Sequence, residues 1–185
     1  MSAFAVGALA ADYATVRQDI ANITTLLQEL DADANAIAPG IAGLPRALQL
    51  QVDAVNLHKR LLSASDNAEA SPPFGGGSLS VGLDLIQLEP KISDTLQDIV
   101  DKNDALGELG IIVLSSLYQL KQDTDEFGDA IVEKLGALEQ AIAPVIIRRI
   151  ETAFNNAIVA YGGNRKCSLW LNSGTTLYLH YSLAS

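Results

Sequence analysis

Between Leu120 and Ile131 the sequence reads LKQDTDEFGDAI, which places Asp123, Asp125, Glu126 and Asp129 within seven residues of an otherwise apolar run. Carboxylates this dense are the raw material of hard-cation sites, and a pair of them can divide acid and base roles. The spacing argues against both. At about 100° per residue of helix, Asp123 and Asp125 point about 200° apart and cannot close on one ion. Thr124 and Phe127 belong to an apolar seam, whereas Lys121, Asp125, Asp129 and Glu133 form an i, i+4 row on another face. The cluster, Asp123 included, is therefore expected to be a solvated face, and Asn at both Asp123 and Asp125 is expected to be nearly silent.

Other reactive types are scarce. His58 and His180 are the only histidines, and His58, beside Lys59 and Arg60, reads as a surface residue. Ser115 and Ser116 fall inside a helical pattern, where hydroxyls usually bond back to a carbonyl. Cys167 stands alone, which excludes an intrachain disulfide and a cysteine-based zinc site. No serine elbow, phosphate loop or metal-ligand spacing occurs, so no catalytic residue, metal or cofactor is expected.

The composition points to binding. Apolar residues are 49% of the 185-residue chain while aromatics are only 5%, so the core is aliphatic. The length suits one domain. A net charge of −10 repels phosphate backbones and anionic bilayers, which disfavours nucleic acid as a partner. No apolar run reaches the length of a transmembrane segment. Met1–Ala11 is apolar with small residues, either the stump of a secretion signal or a frayed lead into the first helix. Asn22-Ile23-Thr24 is a glycosylation sequon on a face turned from the seam, relevant only if the chain is secreted.

Helical spacing recurs along most of the chain. Val16, Ile20, Ile23, Leu27, Leu30, Ala34 and Ile37 mark a first helix, closed by Pro39-Gly40. The next carries two stripes, Leu48, Val52, Val55, Leu62 and Leu50, Ala54, Leu57, Leu61, and so is expected to sit centrally with a wide buried face. Ser71–Ser80, with two prolines and three glycines, reads as a flexible loop. Helical spacing resumes at Leu85 with a kink or break at Pro90, returns from Leu114 to Ile131, and continues after Pro144, which suits a first-turn position. From residue 164 the pattern changes to a tail or small hairpin. The fold class is all-α, an antiparallel bundle of about five helices with an aliphatic core or an elongated cavity. Residues 1–11 form the lead, 12–163 the bundle and 164–185 an atypical tail.

VRQDIANITTLLQELDADANAI, IQLEPKISDTLQDIVDKNDAL, LYQLKQDTDEFGDAIVEKL and IETAFNNAIVAY together resemble the fungal hydrophobic surface-binding protein family, which includes cell-wall galactomannoproteins. The most telling pieces are Glu89-Pro90 and the run Asp123 to Phe127. The resemblance implies a secreted or cell-wall, non-enzymatic helical bundle that adsorbs to hydrophobic surfaces, some of whose relatives hold fatty acids between the helices. Small residues at Ala34, Ala54 and Ala157 would leave axial room for an acyl chain; a bundle packed solid is the alternative. If such a cavity exists, Leu27, Leu30, Leu96, Leu117 and Phe127 are its expected lining. Arg148 and Arg149, or Lys59 and Arg60, are candidate carboxylate partners. The competing function is a scaffold that recruits a secreted hydrolase through an apolar patch.

Overall fold

The computed structural model describes residues 12–164; the expectations for the lead and for the tail beyond Asn164 lie outside the described residues. Five long helices and one short one follow in order: α1 (Tyr13–Asn35), α2 (Leu44–Ala70), α3 (Ser78–Asp101), α4 (Asn103–Leu106), α5 (Gly110–Val132) and α6 (Ala137–Ala160). The start of α1 is set by Asp12, whose carboxylate accepts from the Thr15 amide at 2.9 Å. That hydrogen bond holds the Asp12 carboxyl below its usual range. Consecutive long helices alternate in direction, and they close into a ring in the order α1, α2, α5, α6, α3. Cross-helix contacts give the sense of each pair. Arg46 meets Asp33, so α1 and α2 are antiparallel; Gln51 meets Ser116 and His58 meets Asp123, so α2 and α5 are parallel. Arg17–Asp84 and Glu89–Arg149 make α1, α3 and α6 parallel to one another.

The seams read from spacing are the core, with one exception. On α2 the stripe Leu50, Ala54, Leu57, Leu61 is buried, but Leu48, Val52, Val55 and Leu62 face solvent. In a five-helix ring each helix has two neighbours and none is central, so a second apolar stripe on α2 has nothing to pack against. Ala34, Ala54 and Ala157 are buried, and the axial space beside Ala54 is narrow.

Several boundaries differ from the expected ones. Helix α1 stops at Asn35, before Pro39-Gly40, because proline biases the residues ahead of it away from helix. Ser71–Ser80 is no flexible loop. Ser71 and Phe74 are buried, the Phe74 amide donates to the Lys134 carbonyl at 2.9 Å, and α3 already begins at Ser78. Gly77 lies against the Tyr13 ring, and a Cβ there would force that ring to move. Helix α3 runs through Pro90 without a break, and Pro144 lies well inside α6, not in its first turn. Both prolines are exposed, so their rings point to water and the missing amide bond is the main loss. Tyr161 closes the far end, donating its phenol to the Ile99 carbonyl at 2.7 Å; burial pushes that phenol up to about 12.

Candidate functional site

The acidic cluster divides where the sequence treats it as uniform. Asp125 accepts from Lys121 at 2.6 Å on a partly exposed face, as the i, i+4 row requires. Burial raises its carboxyl despite that lysine, and Asp129 is raised by burial and by Asp125 and Glu133 beside it. Asp123 corrects the solvated-face reading: it is 1% exposed and faces α2. Its Oδ2 lies 2.6 Å from His58 Nδ1 and its Oδ1 accepts from Gln119 Nε2 at 2.9 Å. His58 is correspondingly a half-exposed interhelix partner, not a free surface residue. The pair has the form of a base and its orienting carboxylate, but among the described residues no hydroxyl or thiol joins its hydrogen bonds, and it serves as a polar rivet between α2 and α5. Ser116 Oγ makes a second link there, donating to Gln51 Oε1 at 2.9 Å, while also approaching the Ile112 carbonyl as expected of a helical serine. Among the described residues no group of three or more His, Cys, Asp or Glu could hold a metal ion.

Among the described residues, two spaces between helices bear on binding. The larger, about 430 Å³, is a groove between α3 and α6, within the size range of small-ligand sites. Leu96, Val100 and Ala153 form its aliphatic floor; Glu89, Ser93 and Gln97 rim it from α3, and Arg148, Arg149, Thr152 and Asn156 from α6. Arg149 reaches Glu89 at 3.6 Å, a loose contact, and among the described residues Arg148 has no carboxylate within ion-pair distance. Two guanidinium groups at the lip of an aliphatic trough suit an anion carrying a hydrocarbon chain, because the guanidinium forks onto a carboxylate while the floor covers methylenes. By contrast, Arg60 makes an equally loose contact with Asp19 at 3.7 Å, but neither Lys59 nor Arg60 lines the groove.

The smaller space, about 20 Å³, lies on the axis among Leu30, Leu50, Ala54, Ile99, Val113, Leu117 and Leu120, with Gln51 and Ser116 at its α2–α5 side. It holds no more than about one water-sized body. The five residues expected to line a cavity are all buried, yet they are divided: Leu30 and Leu117 flank the axial space, Leu96 floors the groove, and Leu27 and Phe127 line neither. On α3, Leu96 lines the groove and Ile99, one turn further on, lines the axial space. Asn22 is half-buried on α1 with its amide oxygen accepting from Gln18 at 3.2 Å. Spacing alone missed the groove, because its lining comes from two helices more than 40 positions apart in sequence and its floor residue Leu96 also counts as seam.

The chain shares its fold with fatty-acid complexes. AfMP4p in complex with palmitic acid is 27% identical, with a TM-score of 0.77 over 81% of this chain and 99% of that one. Ligand binding domain 1 of the Penicillium marneffei MP1 protein, complexed with arachidonic acids, is 18% identical, with a TM-score of 0.74 over 80% and 98%. Domain 2 of the same protein, complexed with multiple arachidonic acids, is 19% identical, with a TM-score of 0.75 over 83% and 97%. No curated protein sequence matches significantly. The family model of hydrophobic surface binding protein A matches residues 13–133, more than half of the chain, spanning α1 to α5 and the Glu89-Pro90 and Asp123 to Phe127 segments. This chain belongs to the hydrophobic surface binding protein A family.

Proposed function

We propose that the protein is a non-enzymatic carrier of fatty acids, acting in the extracellular space or cell wall. The observation that carries the reading is the α3–α6 groove, of acyl size, with an aliphatic floor, a polar rim and Arg148 and Arg149 at its lip. The carboxylate sits against the two arginines and the first methylenes lie on Leu96, Val100 and Ala153. A longer chain passes Leu96 towards the axis, where Leu30 and Leu117 part to admit it and Leu27 and Phe127 pack beyond them. Palmitic acid in the complex with AfMP4p supports a ligand of this class. Against an enzyme stands the chemistry of the described residues: their one histidine is tied to Asp123, without a nucleophile. No helix among them is long and apolar enough to cross a membrane. A scaffold recruiting a secreted hydrolase has no observation of its own to single out a protein partner.

Calorimetric titration with laurate, soluble as a monomer, is the test. The parent should show saturable binding. The double variant R148A/R149A, altered only at exposed positions, should bind at least about tenfold more weakly with an unchanged melting temperature. Equal binding by the two removes the arginines from the site; no binding by the parent removes the function.

A further inference from the structure

Ahead of the groove, the same two helices carry matched aliphatic rows. They are Leu79, Leu83 and Ile86 on α3, and Leu138, Ile142 and Val145 on α6, each spaced four and then three so that each row occupies one face. All are exposed, from 46% to 70%. The contacts of Ser78 with Glu139 and of Glu89 with Arg149 set the register of these parallel helices, placing Leu79 level with Leu138 and Ile86 level with Val145. Gly82 holds the rows side by side: a Cβ there would lie 3.1 Å from Glu139 Cγ. At helical spacing the α6 row runs on through Arg149, Thr152 and Asn156, and the α3 row through Pro90 and Gln97, so both lead into the groove.

The charges beside the rows are turned away from them. Asp84 is drawn to Arg17 on α1, and Glu139 accepts from Ser78 at 3.1 Å. What faces outward is therefore aliphatic and uncharged until Arg148 and Arg149. An aliphatic face without charged neighbours offers a protein partner little to recognise, whereas it suits a plane of hydrocarbon. The net charge of −10 selects a neutral surface over an anionic one.

We infer that this α3–α6 face is where the protein lies on a neutral apolar surface, such as wax or a triglyceride droplet, and that acyl chains pass from the surface along the two rows into the groove. The inference rests on the fatty-acid reading for its second half. Adsorption and ligand loading thus share one face, and the surface presents the ligand directly to the arginines.

The test compares the full chain with L83Q/I86Q/I142Q/V145Q and with I41Q/I111Q, altered at the opposite end of the bundle where Ile41 and Ile111 are also exposed. Helical circular dichroism and laurate titration report the fold and the groove; adsorption to triolein droplets, and transfer of a pyrene-labelled hexadecanoic acid from them, report the face. The four-residue variant should keep its fold and laurate binding, while adsorption and transfer fall at least about tenfold; I41Q/I111Q should match the parent. Should the four-residue variant fold poorly, L79Q/L138Q at the helix starts tests the same rows with a smaller loss expected. Unchanged adsorption by the row variants, or a loss of adsorption in I41Q/I111Q as large as theirs, overturns the assignment of the face while leaving the groove intact. A parent that binds no laurate overturns the loading step, and adsorption still decides the face.

Discussion

Asp123 is the residue whose environment differs most from its sequence context. Buried carboxylates are costly unless paired, and His58 with Gln119 supplies the pairing between α2 and α5. Asp123→Ala leaves His58 without its partner and should cost about 2–3 kcal/mol, below the range for fully buried pairs because the imidazole is partly in water. Asp125→Ala, which breaks only the Lys121 contact, should cost less than about 1 kcal/mol. Urea unfolding of the two variants separates these outcomes. Asp53 behaves differently again. It is buried, its Oδ1 accepts from Gln49, and among the described residues its Oδ2 has no hydrogen-bond donor. Burial first, then the nearby Asp33 carboxylate, raises its carboxyl above the ordinary 3.8 despite the Gln49 bond. The folded state thus holds this proton more tightly than the unfolded chain, so stability falls as pH climbs from the ordinary value through the raised one. Asp53→Asn removes the loss, and its melting temperature should exceed the parent's at pH 7 by more than at pH 3.

Among the elements, α3 is the one that links the bundle to its groove. It touches α1 on one side and α6 on the other, and it carries Pro90 beside Glu89 at the groove's upper edge. Proline costs a helix interior about 3 kcal/mol, part of which is recovered by a stiffer unfolded chain. Pro90→Ala should therefore stabilise the protein by about 1–2 kcal/mol, read from the midpoint and slope of denaturant unfolding. A destabilised P90A would show that the proline's geometry, not merely its missing amide, is built into the packing of α3 against α6. The connection between α2 and α3 belongs to this scale too. Gly77 lies against the Tyr13 ring and Phe74 is pinned to Lys134, so a segment rich in helix breakers becomes a joint between α1, α3 and the end of α5.

For the molecule as a whole, the ring leaves a narrow axis of about 20 Å³ and an open groove of about 430 Å³. A chain reaching the axis must spread helices that close over alanines, so long acyl chains should depend on Leu117 more than short ones do. Leu117→Trp fills the axis at an overpacking cost of about 1–3 kcal/mol. It should weaken binding of a fluorescent hexadecanoic acid strongly and of octanoate little, with droplet adsorption near the parent level. Equal loss for both lengths would place the whole ligand on the axis; no loss for either would confine it to the groove.

How much of this was legible beforehand follows from what sets each feature. Helical periodicity is local, so the seam Val16 to Leu30 on α1 and the run Leu117 to Ile131 on α5 announced both the helices and the residues they bury, and Glu89-Pro90 with Asp123 to Phe127 announced the family. Periodicity cannot say which neighbour covers a second stripe. Leu48, Val52, Val55 and Leu62 looked like core and are solvent-facing, because a ring gives α2 only two contacts. Nor can it say what stands opposite a charge. Asp123 meets His58 from another helix, 65 positions away, and only that meeting makes its burial tolerable. The groove is a property of how α3 and α6 lie side by side, because Leu96, Arg148 and Arg149 are in sequence an ordinary seam residue and two surface residues and only the folded chain lines one space with them.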